Sequence, residues 1–387
     1  MGFFEGGLVP LVDSVLTHNR PLYVQYYVTA RCNLRCQQCN VIYANADQEE
    51  CNIEQVRKIA KNLADIGTSM VLLTGGEPFM RRDLPEIAEA FIQNGVHPRL
   101  QTNGFASEEQ LAQLVEVGCN DISISLDSLD GARQDETNGG FEGSWERALR
   151  TISFINQTFP ADSFCSLGCV LAPSNIEHIP SVIEFATEIG WWVSLVPAHQ
   201  SAPTSPRSFA SYDPAMTFGP KEQRLARELV GNVRDMKARG FNLYDSEEYL
   251  ADIERYIAGE PIRWRRRNKG ICDSPNLYFA IQPNGDMAVC CDFRLETRVP
   301  TFHDSFVQAY RNRTMFNEAR SIAGQCSGCM YGSFPEITIS SRFLRPMLDR
   351  ARLFATNGFH RALKPMTFEE MVSLARRIDE KRVNGLR

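Results

Sequence analysis

The stretch YVQYYVTARCNLRCQQC, residues 23–39, joins a β-strand pattern to a loop with three cysteines. Its first seven residues are rich in aromatic and β-branched side chains, which is typical of a strand. Cys32, Cys36 and Cys39 follow in a C-x3-C-x2-C spacing. Structural zinc sites and electron-transfer iron–sulfur clusters usually take four protein ligands. A loop with three thiols therefore leaves one position for a different ligand.

Five more strand patterns follow along the chain, and helical patterns separate them. They are MVLLT (70–74), PRLQT (98–102), DISISLD (121–127), FCSLGCVL (164–171) and WWVSLVP (191–197). Two of the intervening helices are predicted to stop at Gly67 and Gly95. Six β/α units in series indicate a parallel sheet with right-handed crossovers. Because a closed barrel needs eight units, residues 22–200 predict an α/β fold with a partial (β/α)6, TIM-like barrel.

The remainder of the chain divides by composition into four segments. Residues 1–21 form an N-terminal extension, and residues 201–271 combine a Ser- and Pro-rich linker with two helical stretches. Residues 272–335 are rich in cysteine and predict a small domain, and residues 336–387 predict a helical tail. In a barrel of this kind, chemistry gathers at the carboxyl ends of the strands, which is where the three-cysteine loop begins.

Composition and charge exclude several classes of protein. The chain has 387 residues, a net charge of −6 and no long basic run, which argues against nucleic acid as the main partner. No apolar run approaches the roughly eighteen residues of a membrane span. The N-terminus lacks the basic region and cleavage site of a signal peptide. Twelve cysteines without an export signal favour the reducing cytoplasm and metal ligation over disulfides.

The second strand pattern ends in TGGEP, residues 74–78. Two adjacent glycines let the backbone approach a ligand closely, and Glu77 adds an anionic acceptor suited to an ammonium group. With the three-cysteine loop one β/α unit earlier, this motif resembles the radical S-adenosylmethionine (SAM) superfamily. The resemblance covers residues 22–200. A zinc site completed by a distant residue, or chance clustering, remains the alternative for the cysteine loop alone.

The resemblance implies both a cofactor and a chemistry. Cys32, Cys36 and Cys39 would ligate a [4Fe–4S] cluster, and SAM would chelate the open iron. An electron from the cluster would cleave SAM to methionine and a 5′-deoxyadenosyl radical, which abstracts a hydrogen atom from the substrate. A reducing partner such as flavodoxin or ferredoxin would supply that electron.

The resemblance also assigns SAM contacts to the ends of the strands. These are Gly75, Gly76 and Glu77 at the SAM amino group, with Pro78 shaping the turn, then Ser125, Asp127, Asn175 and Pro197. Other interpretations stay open: Ser125 suits a half-buried strand position, Asp127 a helix N-cap, and Pro197 a strand terminator. Two positions depart from the family. Gln38 stands where an aromatic residue often packs on adenine, and Asn138 stands where many relatives carry an arginine.

A second group of cysteines lies in the segment 272–335. Cys272 and Cys290 are followed by the C-x2-C pair Cys326 and Cys329, and Cys291 is an alternative to Cys290. This spacing permits structural zinc or a fully ligated [4Fe–4S] cluster suited to electron transfer. The pattern resembles the SPASM and shortened "twitch" auxiliary-cluster domains of the superfamily. The resemblance implies one auxiliary [4Fe–4S] cluster.

The four-cysteine pattern also resembles that of radical SAM dehydrogenases in aminoglycoside biosynthesis, which implies an oxidoreductase. His199, after the sixth strand, is the candidate base. The substrate would be a small molecule or a peptide. Alternatives are a peptide maturase and a modifier of a planar, tetrapyrrole-like cofactor, for which the Trp191–Trp192 pair is either a binding surface or core. A non-enzymatic iron–sulfur carrier or scaffold is a further alternative.

Overall fold

The computed structural model describes residues 17, 19–36, 38–39, 49–199, 216–267, 272–291, 293–326, 328–355 and 362–385. Most of the predicted N-terminal extension and the Ser- and Pro-rich linker lie outside these ranges. The strands are β1 Tyr23–Thr29, β2 Met70–Gly75, β3 His97–Thr102, β4 Ile122–Ser125, β5 Cys165–Leu171, β6 Trp192–Pro197, β7 Tyr278–Ile281 and β8 Met287–Ala288. They form one sheet in the order β6-β5-β4-β3-β2-β1-β7-β8.

The first six strands confirm the predicted α/β fold with a partial barrel. Each is parallel to its neighbour, and they follow one another in chain order. Along β1, Val24, Tyr26 and Val28 pack into the main core, whereas Tyr23 and Tyr27 belong to separate clusters on the other face. This alternation follows from the two-residue period of a strand. One face of the sheet therefore packs on the helices, and the other lines the inside of the barrel.

Helices alternate with the strands in the barrel and predominate after it. They are α1 Ile53–Asp65, α2 Leu84–Gln93, α3 Glu108–Glu116, α4 Gly131–Thr137, α5 Ser144–Thr158, α6 Ile179–Ile189, α7 Pro220–Ala238, α8 Glu247–Ile257, α9 Arg263–Arg267, α10 Phe306–Arg311, α11 Phe316–Gly324, α12 Ser333–Arg342, α13 Leu344–Ala355 and α14 Phe368–Gly385. Asn52 and Gln55 form a capping box at the start of α1. Gly67 and Gly95, which follow α1 and α2, have φ values of +84° and +74°. Both helices thus end near the predicted glycines.

The cysteine-rich segment extends the barrel sheet. β7 pairs in parallel with β1, from Tyr23 opposite Tyr278 to Tyr26 opposite Ile281, and β8 pairs antiparallel with β7. The sequence prediction stopped at six strands because the four apolar residues of β7 carry no periodic signal of their own. The segment 272–335 therefore lies directly beside β1.

The C-terminal tail is helical, as predicted, and packs on the outside of the barrel. Ser153 Oγ donates to the Met366 carbonyl at 2.8 Å, and Asn156 Nδ2 donates to the Lys364 carbonyl at 2.9 Å. Trp191 is buried in the main core and donates to Asn156 Oδ1, whereas Trp192 packs with Phe164 in a separate cluster. Both tryptophans are thus packing residues. In the described ranges, no helix is long and apolar enough to cross a membrane.

Candidate functional site

The three-cysteine loop begins at the carboxyl end of β1. The side chains of Cys32, Cys36 and Cys39 are of intermediate exposure. Two N–H groups point at the Cys32 sulfur, the Leu34 amide at 3.4 Å and Asn103 Nδ2 at 3.8 Å. The Cys39 amide donates to the Cys36 carbonyl at 3.1 Å, which closes a turn between these two cysteines. N–H groups aimed at a sulfur favour its thiolate form.

Burial dominates the electrostatics of the cysteine loop. Burial raises the pKa of Cys32 to about 11, and negative charge on Glu77 and Cys39 adds to the rise. Burial also raises the pKa of Cys36, and negative charges on Cys39, Asp127 and Cys32 raise it further. A bound metal removes this penalty because it binds the thiolates.

The donor set of this loop suits iron ligation by separate thiolates. In a [4Fe–4S] cluster, each thiolate binds a different iron. Three thiols on one short loop fit that chemistry.

Gly75 and Gly76 bring the end of β2 against the end of β1. A Cβ on Gly75 would lie 2.3 Å from the Thr29 carbonyl oxygen, and one on Gly76 would lie 2.2 Å from the Arg31 carbonyl oxygen. The amides of Gly76 and Glu77 donate to the same two carbonyls at 2.9 and 2.8 Å. Both positions therefore require glycine, and the two strand ends are joined as one surface.

Glu77 links the end of β2 to the end of β3. Its fully buried carboxylate accepts from the Phe79 amide at 3.1 Å, and from Thr102 Oγ1 and the Asn103 amide at 2.8 Å each. Burial raises its pKa to about 7, and these three donors oppose the rise. Pro78 begins the short 3₁₀ turn that follows. The predicted contact of Glu77 with the SAM amino group stays a prediction.

Asp127 connects the cysteine loop to β5. Its carboxylate accepts from the Val170 amide at 2.6 Å and from Gln38 Nε2 at 3.3 Å. Burial raises its pKa to about 7. The N-cap interpretation of Asp127 is wrong, since Asp130 caps α4. Ser125, which accepts from Gln101 Nε2 at 3.2 Å, lies on the inner face of the barrel at the end of β4.

Asn175 holds the backbone at the ends of β4 and β5. It accepts from the Ala172 amide at 2.8 Å and donates to the carbonyls of Asp127 and Val170 at 3.1 and 2.7 Å. Both amide hydrogens are therefore used within the chain. Pro197, the last residue of β6, is buried and pairs with β5. The predicted ribose and adenine contacts of Asn175 and Pro197 stay predictions.

Two asparagines lie against the cysteines. Asn138 Oδ1 is 3.5 Å from Cys36 Sγ, so the position that departs from the family pattern borders the loop. Asn103 contacts Cys32 and also donates to Asn33 Oδ1 at 2.9 Å. Sequence reasoning did not select Asn103, although it belongs to the QTNG stretch at the end of the third strand.

His199 lies beside the C-terminal cysteines rather than the SAM loop. Its Nε2 accepts from the Met330 amide at 2.9 Å, and its ring stacks on Tyr331 with centroids 3.7 Å apart. Burial lowers its pKa to about 3, so the ring is neutral at physiological pH. Because a backbone amide occupies Nε2, this nitrogen is not available as a base in this arrangement. The predicted role of His199 as a base stays a prediction.

Two of the C-terminal cysteines, Cys272 and Cys329, lie near Tyr278 on β7. Cys272 Sγ lies 3.5 Å from the Tyr278 hydroxyl, and charges on Cys272 and Cys329 both add to the burial that raises the pKa of this tyrosine. The Gly328 amide points at Cys326 Sγ at 3.4 Å. Cys291 instead donates to Gln25 Oε1 on β1 at 3.4 Å. The choice of Cys290 over Cys291 as the fourth ligand stays a prediction.

Part of the chain matches a known protein family. Residues 26–186 match the sequence model of the radical SAM superfamily. Fe-coproporphyrin III synthase from Methanosarcina barkeri is 31% identical over 173 residues, which are 43% of this chain and 41% of that protein. GTP 3',8-cyclase from Pasteurella multocida is 36% identical over 129 residues, which are 31% of this chain and 37% of that protein. The chain thus spans less than half the length of these two relatives.

Two solved structures share the fold over most of the chain. The crystal structure of Streptococcus suis SuiB has a TM-score of 0.58 at 18% identity and covers 84% of this chain and 76% of that one. Native anSMEcpe with bound AdoMet has a TM-score of 0.57 at 14% identity and covers 95% of this chain and 99% of that one. At these identities the likeness shows the fold alone. The cysteine loop and the glycine pair both lie within residues 26–186, the part of the chain that matches the radical SAM superfamily, whose members use a [4Fe–4S] cluster and SAM.

Proposed function

We propose that this chain is a radical SAM oxidoreductase in which Cys32, Cys36 and Cys39 hold a [4Fe–4S] cluster. The observation that supports the proposal is the contact between two strand ends. The cysteine loop after β1 and the glycine pair at the end of β2 form one surface. When bound, the cluster and SAM supply a 5′-deoxyadenosyl radical that removes a hydrogen atom from the substrate. A reduced flavodoxin or ferredoxin is the proposed electron donor.

The chain's own residues hold this surface in place. The Leu34 amide and Asn103 Nδ2 stabilise the Cys32 thiolate, and Glu77 ties Asn103 to the glycine loop. Gln38 joins the cysteine loop to Asp127 at the end of β4. The backbone groups beside Gly75 and Gly76 are the proposed SAM amino-group site.

Replacing Cys32, Cys36 and Cys39 with Ala tests the first cluster. Dithionite-reduced wild-type protein should produce 5′-deoxyadenosine from SAM, and the triple variant should produce none. Cys119→Ala is the matched control because Cys119 is a buried core cysteine away from the loop. Undiminished cleavage by the triple variant would sink the assignment.

We further propose that Cys272, Cys290, Cys326 and Cys329 hold a second [4Fe–4S] cluster that accepts an electron. The support is its position: β7 pairs with β1, and Cys291 contacts Gln25 on β1. Hydrogen abstraction leaves a substrate carbon radical. A second cluster held by these four cysteines would accept one electron from that radical, and loss of one proton to a base would complete a two-electron oxidation.

Metal content and product together test the second cluster. Anaerobically reconstituted protein should hold about eight irons and the triple variant about four, since each cluster has four. One zinc with only about four irons in the wild type would show a structural zinc module. Replacing Cys326 and Cys329 with Ala should preserve SAM cleavage but stop oxidised product, in protein that keeps its first cluster. Normal oxidation by that variant would leave the second cluster a structural role only.

Tetrapyrrole modification is a second candidate function, which Arg99 favours. Two relatives from Methanosarcina barkeri are named Fe-coproporphyrin III synthase and AdoMet-dependent heme synthase. Arg99, on the inner face of β3, donates to Ser166 Oγ at 2.6 Å and stacks over Phe164 at 4.3 Å. Among the described residues it pairs with no carboxylate, and its buried Nε has no hydrogen-bond partner. A cation of this kind suits an acidic substrate such as a porphyrin with carboxylate side chains.

A binding titration with coproporphyrin III tests the second candidate. Wild-type protein should bind the porphyrin, and Arg99→Gln should weaken binding roughly tenfold or more, as expected for loss of a charged hydrogen bond. Arg147→Gln is the matched control, since exposed Arg147 also stacks over a phenylalanine, Phe105, at 4.4 Å. Equal affinities of the wild type and Arg99→Gln would remove the support that this arginine gives.

A further inference from the structure

Arg265 is a buried cation beside the C-x2-C pair of the C-terminal segment. It lies on α9 and is only 5% exposed. Its Nη2 donates to the Ala323 carbonyl at 2.6 Å and to the Cys326 carbonyl at 3.2 Å. Its buried Nη1 has no hydrogen-bond partner among the described residues. The guanidinium thus touches the start of the C-x2-C pair and keeps one nitrogen uncommitted.

The C-x2-C loop is shaped around this side chain. Gly328, between the two cysteines, has a φ of +118°, and a Cβ there would lie 3.1 Å from Arg265 Cγ and 2.4 Å from Ile262 Cδ1. Arg265 therefore lies against the backbone of the loop that carries two of the proposed ligands, Cys326 and Cys329.

A helix-capping role accounts for only part of this arrangement. The bonds from Nη2 satisfy carbonyls at the end of α11, as a basic side chain often does at a helix C-terminus. These hydrogen bonds to carbonyl groups leave the buried positive charge of Arg265 without an opposite charge beside it. Burying a cation is costly unless an opposite charge accompanies it, and no carboxylate forms an ion pair with Arg265 among the described residues. Four thiolates around an iron–sulfur cluster would supply the missing negative charge.

We propose that Arg265 is the counterion of the second cluster and raises its reduction potential. This inference rests on the proposed second cluster. Reduction adds one negative charge to the cluster, and a buried cation beside the ligands stabilises that reduced form. Arg265 would not touch the substrate. By raising the potential of the second cluster, it would favour transfer of one electron from the substrate radical to that cluster.

The test isolates the second cluster in the Cys32, Cys36 and Cys39 triple Ala variant. Arg265→Gln removes the charge, Arg265→Lys keeps it, and Arg263→Gln removes an exposed charge from the same helix as the matched control. Iron is counted first, and the midpoint potential is then measured by redox titration followed by electron paramagnetic resonance. If the parent variant holds no iron, the proposed second cluster has failed; about four irons in the parent show that only Arg265 is under test.

Each outcome of the titration decides the role of Arg265. We expect Arg265→Gln to lower the equilibrium constant for one-electron reduction of the second cluster about tenfold, which lowers its midpoint potential by about 59 mV. Arg265→Lys and Arg263→Gln should keep the parent potential. An unchanged potential in Arg265→Gln would show that the arginine only caps α11. If Arg265→Gln loses its iron while Arg265→Lys retains it, the charge is required and the proposal stands. If both lose it and Arg263→Gln does not, the shape of the guanidinium matters instead, and the proposal is overturned.

Discussion

Buried carboxylates are the residues whose chemistry depends most on tertiary structure. The pKa values of Glu77, Asp127 and Asp245 are each raised to about 7, chiefly by burial. Motifs at strand ends drew attention to Glu77 and Asp127. Asp245 belongs to no motif, yet its carboxylate accepts from Ser194 Oγ at 2.9 Å and the Leu195 amide at 2.8 Å on β6. Its role is visible only in the folded chain.

Replacing Asp245 with Asn should change the pH dependence of stability. In the folded protein the pKa of Asp245 is about 7, above its ordinary value of 3.8. The protonated carboxyl therefore stabilises the fold fully below pH 3.8, and this stabilisation is lost as the pH rises through 7. The full loss between pH 3.8 and 7 is about 4 kcal/mol, and about 3 kcal/mol of it falls above pH 5. Asn keeps both contacts, because its oxygen can accept from Leu195 while its amide donates to Ser194. The free energy of unfolding, measured in urea near pH 5 and near pH 8, should fall less with pH in Asp245→Asn. An equal decrease in the free energy of unfolding of the wild type and Asp245→Asn would contradict the raised pKa of Asp245.

At the scale of elements, the glycine pair decides how two strands meet. Neither Gly75 nor Gly76 leaves room for a Cβ, because carbonyl oxygens of the first strand's end lie against them. The motif marked these positions in the sequence as a place of close backbone approach. The structure shows that the approaching group is the chain itself, at the base of the cysteine loop.

Gly76→Ala should be destabilising and should disturb the SAM site. Its Cβ would lie 2.2 Å from the Arg31 carbonyl oxygen, so one strand end must move. We expect a loss of about 1–3 kcal/mol in the free energy of unfolding, together with weaker SAM binding by equilibrium dialysis. Gly231→Ala in α7 is the control, because a Cβ there meets nothing within 4 Å; it should stabilise by about 0.5–1 kcal/mol. Similar stability changes for the two variants would contradict this account of the loop.

At the scale of the whole molecule, distant segments close on the barrel. β7 pairs with β1 across about 250 residues of sequence, and α14 packs on α5 and α6. Met371, Leu374 and Ile378 of α14 are buried in the main core. The tail is therefore part of the outer helical layer, and its removal would expose the barrel helices.

Met371→Ala should therefore destabilise the barrel as a whole. A buried methionine replaced by alanine costs about 2–5 kcal/mol, and Met371 is 0% exposed. Val383→Ala in the same helix is the control, since Val383 is 41% exposed and should cost less than about 0.5 kcal/mol. The measurement is urea unfolding followed by far-ultraviolet circular dichroism. Equal effects of the two substitutions would show that the tail does not contribute to the core.

The sequence by itself determined the features that depend on neighbouring residues. The strand and helix periods predicted six β/α units, since each element's pattern depends on side-chain direction within that element. The spacing of Cys32, Cys36 and Cys39 predicted the cluster loop, because three thiols on one loop are close whatever the rest of the chain does. The glycine pair at positions 75–76 indicated the same family for the same reason.

Only the tertiary structure decided which distant residues meet. It placed Asn103 at Cys32, Cys291 at Gln25 and Arg265 at the C-x2-C loop. It also showed that His199 accepts from a backbone amide and that β7 joins β1. None of these contacts has a local signal, because pairing across hundreds of residues depends on the burial and hydrogen bonding of the assembled sheet rather than on the period of either segment.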